Sequence, residues 1–434
     1  MLFRKINLGW IFIIILSVSP LLPWLIISPV STRFTNFYQS LTSLGQILGL
    51  IGAIMFSLNF VLSLRLKVFE DFFGGMNKVY VAHHILGGTA FLLLLFHPLV
   101  LAIRFAPYSL REVAVNVLPG TDWSINFGIA ALLLMMSLLI FTFFVNIPYQ
   151  VWRLTHQFFG LAFFVAVIHG FYVSGSDIEQ SIFMRVYMSC FFLLGLGAYT
   201  YRTLLGRFLI PKYLYTVSLV RQLGNNVVEI SLTPKGQKML YTPGQFVFVR
   251  FDSSTISKEV HPFSIASTDT DTVLVITIKA EGDYTETLAK LAVGEMAMIE
   301  GSFGRFSYLR AENKRQVWIA GGIGVTPFLS MARHIVDPLY TIDFYYSTRT
   351  KEEAVYLENF MQLSQQNKNF HVVPFFTKTQ GRLSAEVIAK TTDAIQSTDI
   401  FICGPPPMMK SLRVQFQKLG VLNKNIHTEE FALR

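Results

Sequence analysis

Four histidines fall where the side chain is costly to keep. His83 and His97 lie fourteen residues apart in one apolar run, and His156 and His169 lie thirteen apart in another. Ionisable residues inside a membrane span are expensive and usually functional. A single such histidine could serve an interhelical hydrogen bond. Two runs that each carry a histidine near either end point instead to metal ligation. An imidazole from each of two facing helices can fill the two axial positions of a haem iron. Two such pairs therefore predict two haems at two depths. Fourteen residues at a rise of 1.5 Å put His97 about 21 Å from His83 and within about 40° of the same helix face. The thirteen-residue interval spans about 20 Å but leaves His156 and His169 on different faces of an ideal helix, so that run needs a local irregularity or a rotated ligation. The reading pairs His83 with His156 and His97 with His169. His84 competes with His83 for the first pair.

The elements that must position these rings are spans of about 20 apolar residues, the length that crosses about 30 Å of hydrocarbon. Five runs qualify, Leu8–Ile27, Leu44–Leu64, Val79–Ile103, Ile125–Val145 and Leu154–Val173, and a shorter sixth is Val186–Tyr201. The amino-terminal Met1-Leu-Phe-Arg-Lys has the character of a signal peptide, but its apolar run is longer than a signal core and no small-residue cleavage site follows, so it reads as a retained first span. Composition agrees. The chain has 434 residues, of which 52% are apolar and only 15% charged, with 40 phenylalanines. Of 36 Lys/Arg and 27 Asp/Glu, only 12 and 6 precede residue 211. A purely soluble enzyme, a disordered tail and a pore without an aqueous domain are excluded. Basic residues near the spans cluster at Arg4, Lys5, Arg65, Lys67, Lys78, Arg153, Arg202, Arg207 and Lys212, against Arg33, Arg104, Arg111 and Arg185 at the other ends. The positive-inside rule then puts both termini in the cytoplasm and explains the net charge of +9 without a nucleic-acid partner. Cys190 and Cys403 lie in different halves, which argues against a disulfide framework or a thiolate metal site.

After Lys212 the texture changes. Tyr215–Leu219, Val227–Leu232, Phe246–Phe251 and Leu274–Lys279 read as strands between Gly, Pro and Asp turns, which predicts an antiparallel barrel. Gln316–Ala320, Thr341–Tyr346, His371–Phe375 and Asp399–Cys403 alternate with helical stretches, a parallel α/β pattern. The expected fold is thus a multi-domain membrane protein: a six-helix transmembrane bundle over residues 1–210, an antiparallel β-barrel domain over 211–311, and an α/β parallel-sheet domain over 312–434.

Two stretches of the barrel suit a flavin: His261-Pro262-Phe263-Ser264-Ile265-Ala266-Ser267, and, after a strand ending at Lys279, Gly282-Asp283-Tyr284-Thr285. A hydroxyl at a strand end and backbone N–H groups fit a pyrophosphate, and an aromatic ring can cover an isoalloxazine. Beyond the next strand come Gly321-Gly322-Ile323-Gly324-Val325-Thr326-Pro327. Glycines let the backbone approach a phosphate, a helix N-terminus supplies N–H donors, and proline is tolerated in a first helical turn. The string departs from the common dinucleotide fingerprint at Pro327, where a third glycine would stand.

These stretches resemble, in this order, those of the NADPH oxidases and ferric reductases, built on the ferredoxin-NADP reductase superfamily. His83-His84-Ile85-Leu86-Gly87 is similar to the inner haem-ligand pattern of bacterial members. The resemblance implies haem in the bundle, FAD in the barrel and NADPH in the α/β domain. It also implies that Cys403-Gly404-Pro405 lies beside the nicotinamide, that Ser347 and Arg349 meet the adenosine 2′-phosphate, and that Phe431 stacks on the flavin. The expected activity is transfer of electrons from cytosolic NADPH through FAD and two b-type haems to the opposite face of a bacterial cell membrane. The acceptor is dioxygen, giving superoxide, or alternatively a ferric chelate or a partner redox protein. No protein partner is specifically implied.

Overall fold

The computed structural model describes residues 2–430 apart from Asn225 and Val336. The chain forms two compact units, with the change from one to the other at Ile210 and Pro211.

Among the described residues, six helical segments are long and apolar enough to cross a membrane: Leu8–Ile27, Phe37–Leu62, Met76–Ile103, Trp123–Phe143, Tyr149–Tyr172 and Ile182–Leu204. The sixth is longer than its apolar core suggests, because the helix Ile182–Tyr199 continues through a wider turn at Thr200–Leu204. The fifth is not one helix. It comprises Tyr149–Gln157 and Phe159–Tyr172. At Phe158 the N–H donates to Thr155 O at 3.0 Å, three residues back rather than four. This tightened turn is a local irregularity between His156 and His169, of the kind that their interval calls for. Small residues let spans approach closely: a methyl on Gly195 of the sixth span would lie 2.6 Å from Ser57 Oγ of the second.

The second unit holds two sheets. The first contains β1 (Tyr213–Gln222), β2 (Val227–Pro234), β3 (Phe246–Asp252), β4 (His261–Ser264), β5 (Leu274–Lys279) and β6 (Met296–Phe303). They pair antiparallel in the order β4-β3-β6-β1-β2-β5. A bridge between Ile265 and Ile276 joins the two ends and closes the barrel. Its interior is filled by alternate residues such as Val217, Ile230, Val247, Val249, Ile276 and Ile299. β4 escapes sequence pattern reading because it is short and carries a proline; β6 does because its second half is Glu300-Gly301-Ser302.

The second sheet contains β7 (Arg315–Gly321), β8 (Thr341–Thr348), β9 (Phe370–Phe376), β10 (Asp399–Cys403) and β11 (Ile426–Glu429). All four pairings are parallel, in the order β11-β10-β7-β8-β9. The order reverses between β7 and β10, and in such sheets ligands bind at the carboxyl ends of the strands flanking that reversal. β11 is obscured in the sequence by its polar residues His427, Thr428 and Glu429.

Candidate functional sites

Each unit carries one constellation. In the bundle, the third and fifth spans bring the four histidines together in two pairs. The His83 and His156 ring centres are 6.2 Å apart, and those of His97 and His169 are 6.4 Å apart. His84 is exposed, and its ring packs beside His83 at 5.9 Å. A metal bonded to two opposed imidazoles at roughly 2.0–2.1 Å, with about 1.1 Å from each nitrogen to its ring centre, sets those centres about 6.3 Å apart. Both pairs fit that spacing.

The outer nitrogens of the rings explain how they are aimed. His97 Nδ1 lies 2.7 Å from Gly45 O, His169 Nδ1 2.8 Å from Ser124 O, and His83 Nδ1 3.1 Å from Asn59 O. A carbonyl only accepts, so Nδ1 carries the proton in each and Nε2 keeps its lone pair for a metal. His156 is held differently, stacked on Trp152 at 5.2 Å with the Phe159 edge at 5.0 Å. Reaching a helix carbonyl from the side needs an opening one turn further on. Glycine supplies it twice: a methyl on Gly49, four residues after Gly45, would lie 2.7 Å from His97 Nδ1, and one on Gly128, four after Ser124, would lie 2.8 Å from His169 Nδ1. The second and fourth spans thus cradle the His97/His169 pair in the same way.

A cavity of about 600 Å³ opens beside this pair, walled by apolar residues including Leu50, Leu94, Leu132, Met135 and Phe192. Its polar lining includes Thr42, Gln46, Arg104, Asn116, Asp122, Ser176 and Asp177. Among the described residues, no group of three or more His, Cys, Asp or Glu could hold a metal ion. A metal held by either pair would have two imidazole ligands and need others from outside the protein, such as the macrocycle of a haem. The residues present fit that cofactor.

In the second unit, His261, Pro262, Phe263, Ser264, Lys279, Gly282, Tyr284 and Thr285 all line one cavity of about 330 Å³. The same wall includes Thr277, Glu281, Asp283 and, from the turn after β7, Ile323 and Thr326. The His261 ring stacks on Tyr284 at 4.0 Å and 17°, and its Nε2 meets Glu259 Oε2 at 2.8 Å. The Tyr284 hydroxyl is buried with no hydrogen-bond partner among the described residues. An aromatic shelf beside an orphaned hydroxyl in a cavity wall fits a flavin. Thr285 Oγ1 accepts from the Glu281 and Gly282 N–H groups, and Lys279 pairs with Glu281, so both are engaged locally.

The nucleotide stretches converge at the reversal of strand order. Ala320 on β7 pairs with Cys403 on β10, and Gly321 with Ser347 on β8, which aligns three strand ends. Gly321, Gly322, Gly324 and Val325 form the turn into the helix Thr326–His334, with Pro327 in its first turn. Gly404 packs on Gly321, and a methyl on Gly404 would lie 2.9 Å from Gly321 Cα; Pro405 caps the helix Pro406–Lys418. Cys403 is fully buried, and that burial pushes its thiol well above its ordinary range, so it is a neutral thiol and not a nucleophilic thiolate. Ser347 is buried at the end of β8, and Arg349 is exposed just beyond it. Phe431 lies outside the described residues.

A family model described as "Ferric reductase like transmembrane component" matches residues 48–167, and one for an FAD-binding domain matches residues 213–408. The reductase component of propane 2-monooxygenase from Mycolicibacterium smegmatis is 28% identical over 224 residues, which are 48% of this chain and 64% of that protein. The electron transfer component of anthranilate 1,2-dioxygenase from Acinetobacter baylyi is 29% identical over 147 residues, 32% of this chain and 43% of that protein. A Neisseria gonorrhoeae ferredoxin NADP+ reductase structure with bound FAD and NADP aligns over 50% of this chain and 98% of that one, at 20% identity and a TM-score of 0.45. The chain thus spans less than two thirds of these curated relatives.

Proposed function

Because the chain belongs to the ferric reductase/NADPH oxidase-type family, we propose that it is a membrane-embedded oxidoreductase carrying electrons from cytosolic NADPH, through FAD and two b-type haems, to an acceptor across the membrane. The observation that carries this reading is the two histidine pairs, both at the spacing of a bis-imidazole iron, in one chain with a flavin-type cavity. When bound, FAD takes hydride from NADPH and yields electrons singly, which the haems relay.

The protein's own residues would do the following. His83, His97, His156 and His169 would hold the irons, three of them aimed by backbone carbonyls. Tyr284 and His261 would shelve the flavin, and Ser264 and the backbone at Gly282 would face its phosphates. Gly321 to Pro327 would cradle the nucleotide phosphates, and Cys403, Gly404 and Pro405 would wall the nicotinamide. Phe431 would close the flavin face from the carboxyl end. Both termini would be cytoplasmic.

The acceptor assigned is dioxygen, giving superoxide. The walls beside His97 and His169 are largely apolar, which admits a small neutral molecule. A ferric chelate is the second reading, favoured by the family model that matches residues 48–167; its carboxylates would have Arg104 as a cation on that wall, with Asp122 and Asp177 opposing them. Purified protein given NADPH should produce superoxide in a specific assay. Faster reduction of ferric chelate in parallel, with no superoxide, would replace the first reading by the second.

Nucleotide choice supplies a further test. Arg349→Ala should raise the Michaelis constant for NADPH about 10-fold, or about 1.4 kcal/mol, the lower range for a hydrogen bond to a charged group. The constant for NADH, which lacks the 2′-phosphate, should scarcely move. Equal weakening of both nucleotides would make Arg349 a structural residue.

A further inference from the structure

Between the nucleotide half of the second unit and the barrel, one tyrosine is held in an uncommon conformation. Tyr356 has φ 63 and ψ 8, left-handed values that a bulky residue keeps only where its surroundings over-determine them. Two barrel strands supply those surroundings. The Tyr356 hydroxyl lies 2.5 Å from Glu229 Oε2 on β2 and 2.7 Å from Thr277 Oγ1 on β5. A carboxylate only accepts and a phenol has one proton, so Tyr356 donates to Glu229 and Thr277 donates to Tyr356. Burial, and then Glu229, raise the phenol above its ordinary range, so it keeps that proton. Glu229 is itself almost buried and pairs with Arg221 at 2.8 Å.

The two ends of this contact matter. Thr277 is buried and lines the cavity that also holds His261 and Tyr284. On the other side, Tyr356 ends the segment that begins with Ser347 and Arg349. That segment is tied along its length: Thr348 Oγ1 donates to Thr350 O at 2.8 Å, Arg349 N to Glu353 Oε2 at 3.3 Å, and Tyr346 Oη to Val355 O at 3.1 Å. A run of fixed contacts therefore leads from the exposed Arg349 to the wall of the flavin cavity.

We infer that Tyr356 is a positioning residue for hydride transfer, which fixes the Ser347–Tyr356 loop to the flavin cavity through Glu229 and Thr277, so that a nicotinamide nucleotide gripped by its 2′-phosphate is held in register with the flavin. This rests on the proposed function, and it makes the choice of nucleotide a matter of rate as well as affinity. NADPH, which grips the loop, uses the strut; NADH does not.

The test is anaerobic stopped-flow reduction of the flavin in the full-length protein, comparing wild type, Tyr356→Phe, Thr277→Val and the double variant. Tyr356→Phe keeps the ring and removes the hydroxyl, and with it the hydrogen bonds to both Glu229 and Thr277. The saturating reduction rate with NADPH should fall about 10-fold, since small misplacements of reacting groups cost that much or more. The half-saturation concentration should stay within about twofold. The rate with NADH should change far less, and the NADPH–flavin charge-transfer absorbance should weaken. The double variant should be no slower than Tyr356→Phe, which already removes the contact that Thr277→Val removes. Should Tyr356→Phe lose flavin, Thr277→Val carries the same comparison. Unchanged saturating rates, equal losses with the two nucleotides, or additive losses in the double variant would overturn the inference. A wild-type flavin that neither nucleotide reduces would instead overturn the function on which it rests.

Discussion

Replacing His97 with alanine should reduce the haem content from about two per chain to about one, and should stop electron delivery to the far-side acceptor while NADPH still reduces the flavin. The His97 ring is fixed from one side: Nδ1 lies 2.7 Å from Gly45 O, and the ring centre lies 6.4 Å from that of His169. Removing it leaves His169 as a single ligand, with no third protein ligand nearby among the described residues to replace it. The His83/His156 pair belongs to a different level of the bundle and should keep its haem with an unchanged low-spin spectrum. Gly128→Val tests the same site from the opposite wall. Its branched side chain would begin 2.8 Å from the His169 ring and force that ring off Ser124 O. His84→Ala should leave both haems in place, whereas His83→Ala should lose one. Pyridine haemochrome analysis of the purified variants counts them. A wild-type ratio of one would end the two-haem reading, and two haems retained in His97→Ala would end the assignment of His97 as a ligand.

What could be read from the sequence follows from how each feature is encoded. The six spans are legible because a bilayer demands long apolar runs, and the four histidines are legible because they interrupt those runs. The mismatch of phase between His156 and His169 is legible as a problem, and the helix break at Phe158 falls between them with no proline there to announce it. The cradle was not legible. Gly45, Gly49, Ser124 and Gly128 act through carbonyls and missing side chains, on spans distant in sequence from the rings they serve, and apolar helices contain many glycines. In the second unit, the strands of highest β-propensity are found with ends within a few residues, while β4 and β11 hide behind proline and polar residues. The residues singled out around the flavin cavity lie on its wall because the motif is contiguous. Thr277 lies on that wall and Glu259 holds His261, neither with a local signal. Tyr356 had none either, since a left-handed tyrosine is visible only in the backbone.

The glycine turn after β7 supports the other large expectation. Gly324→Ala should lower nicotinamide nucleotide affinity about 100-fold, or about 2.7 kcal/mol, for NADPH and NADH alike, while flavin and haem contents stay unchanged. The reason is the nature of the obstacle. A methyl on Gly324 would lie 2.4 Å from Cys403 O, 2.6 Å from its carbonyl carbon and 2.7 Å from Gly404 N, all backbone atoms of the neighbouring strand end. No side chain can rotate away to relieve such contacts. Either the turn lifts from β10 or Cys403-Gly404-Pro405 shifts, and both motions open the place where the two loops meet. Gly322 supplies the control. Nothing lies within 4 Å of its hypothetical methyl, but its φ of +53 is left-handed, so Gly322→Ala meets only a backbone cost of roughly 1–2 kcal/mol. Part of that cost should appear as lower thermal stability, with affinity falling no more than about 10-fold. Equilibrium titration of the oxidised flavoprotein with NADP+ and NAD+, followed by flavin difference absorbance, separates the two. Comparable losses in both variants would mean that conformational freedom of the turn, and not its close packing on β10, governs the nucleotide site. An unchanged affinity in Gly324→Ala would place that site away from the junction of β7 and β10, and with it the roles assigned to Gly321, Gly324 and Gly404.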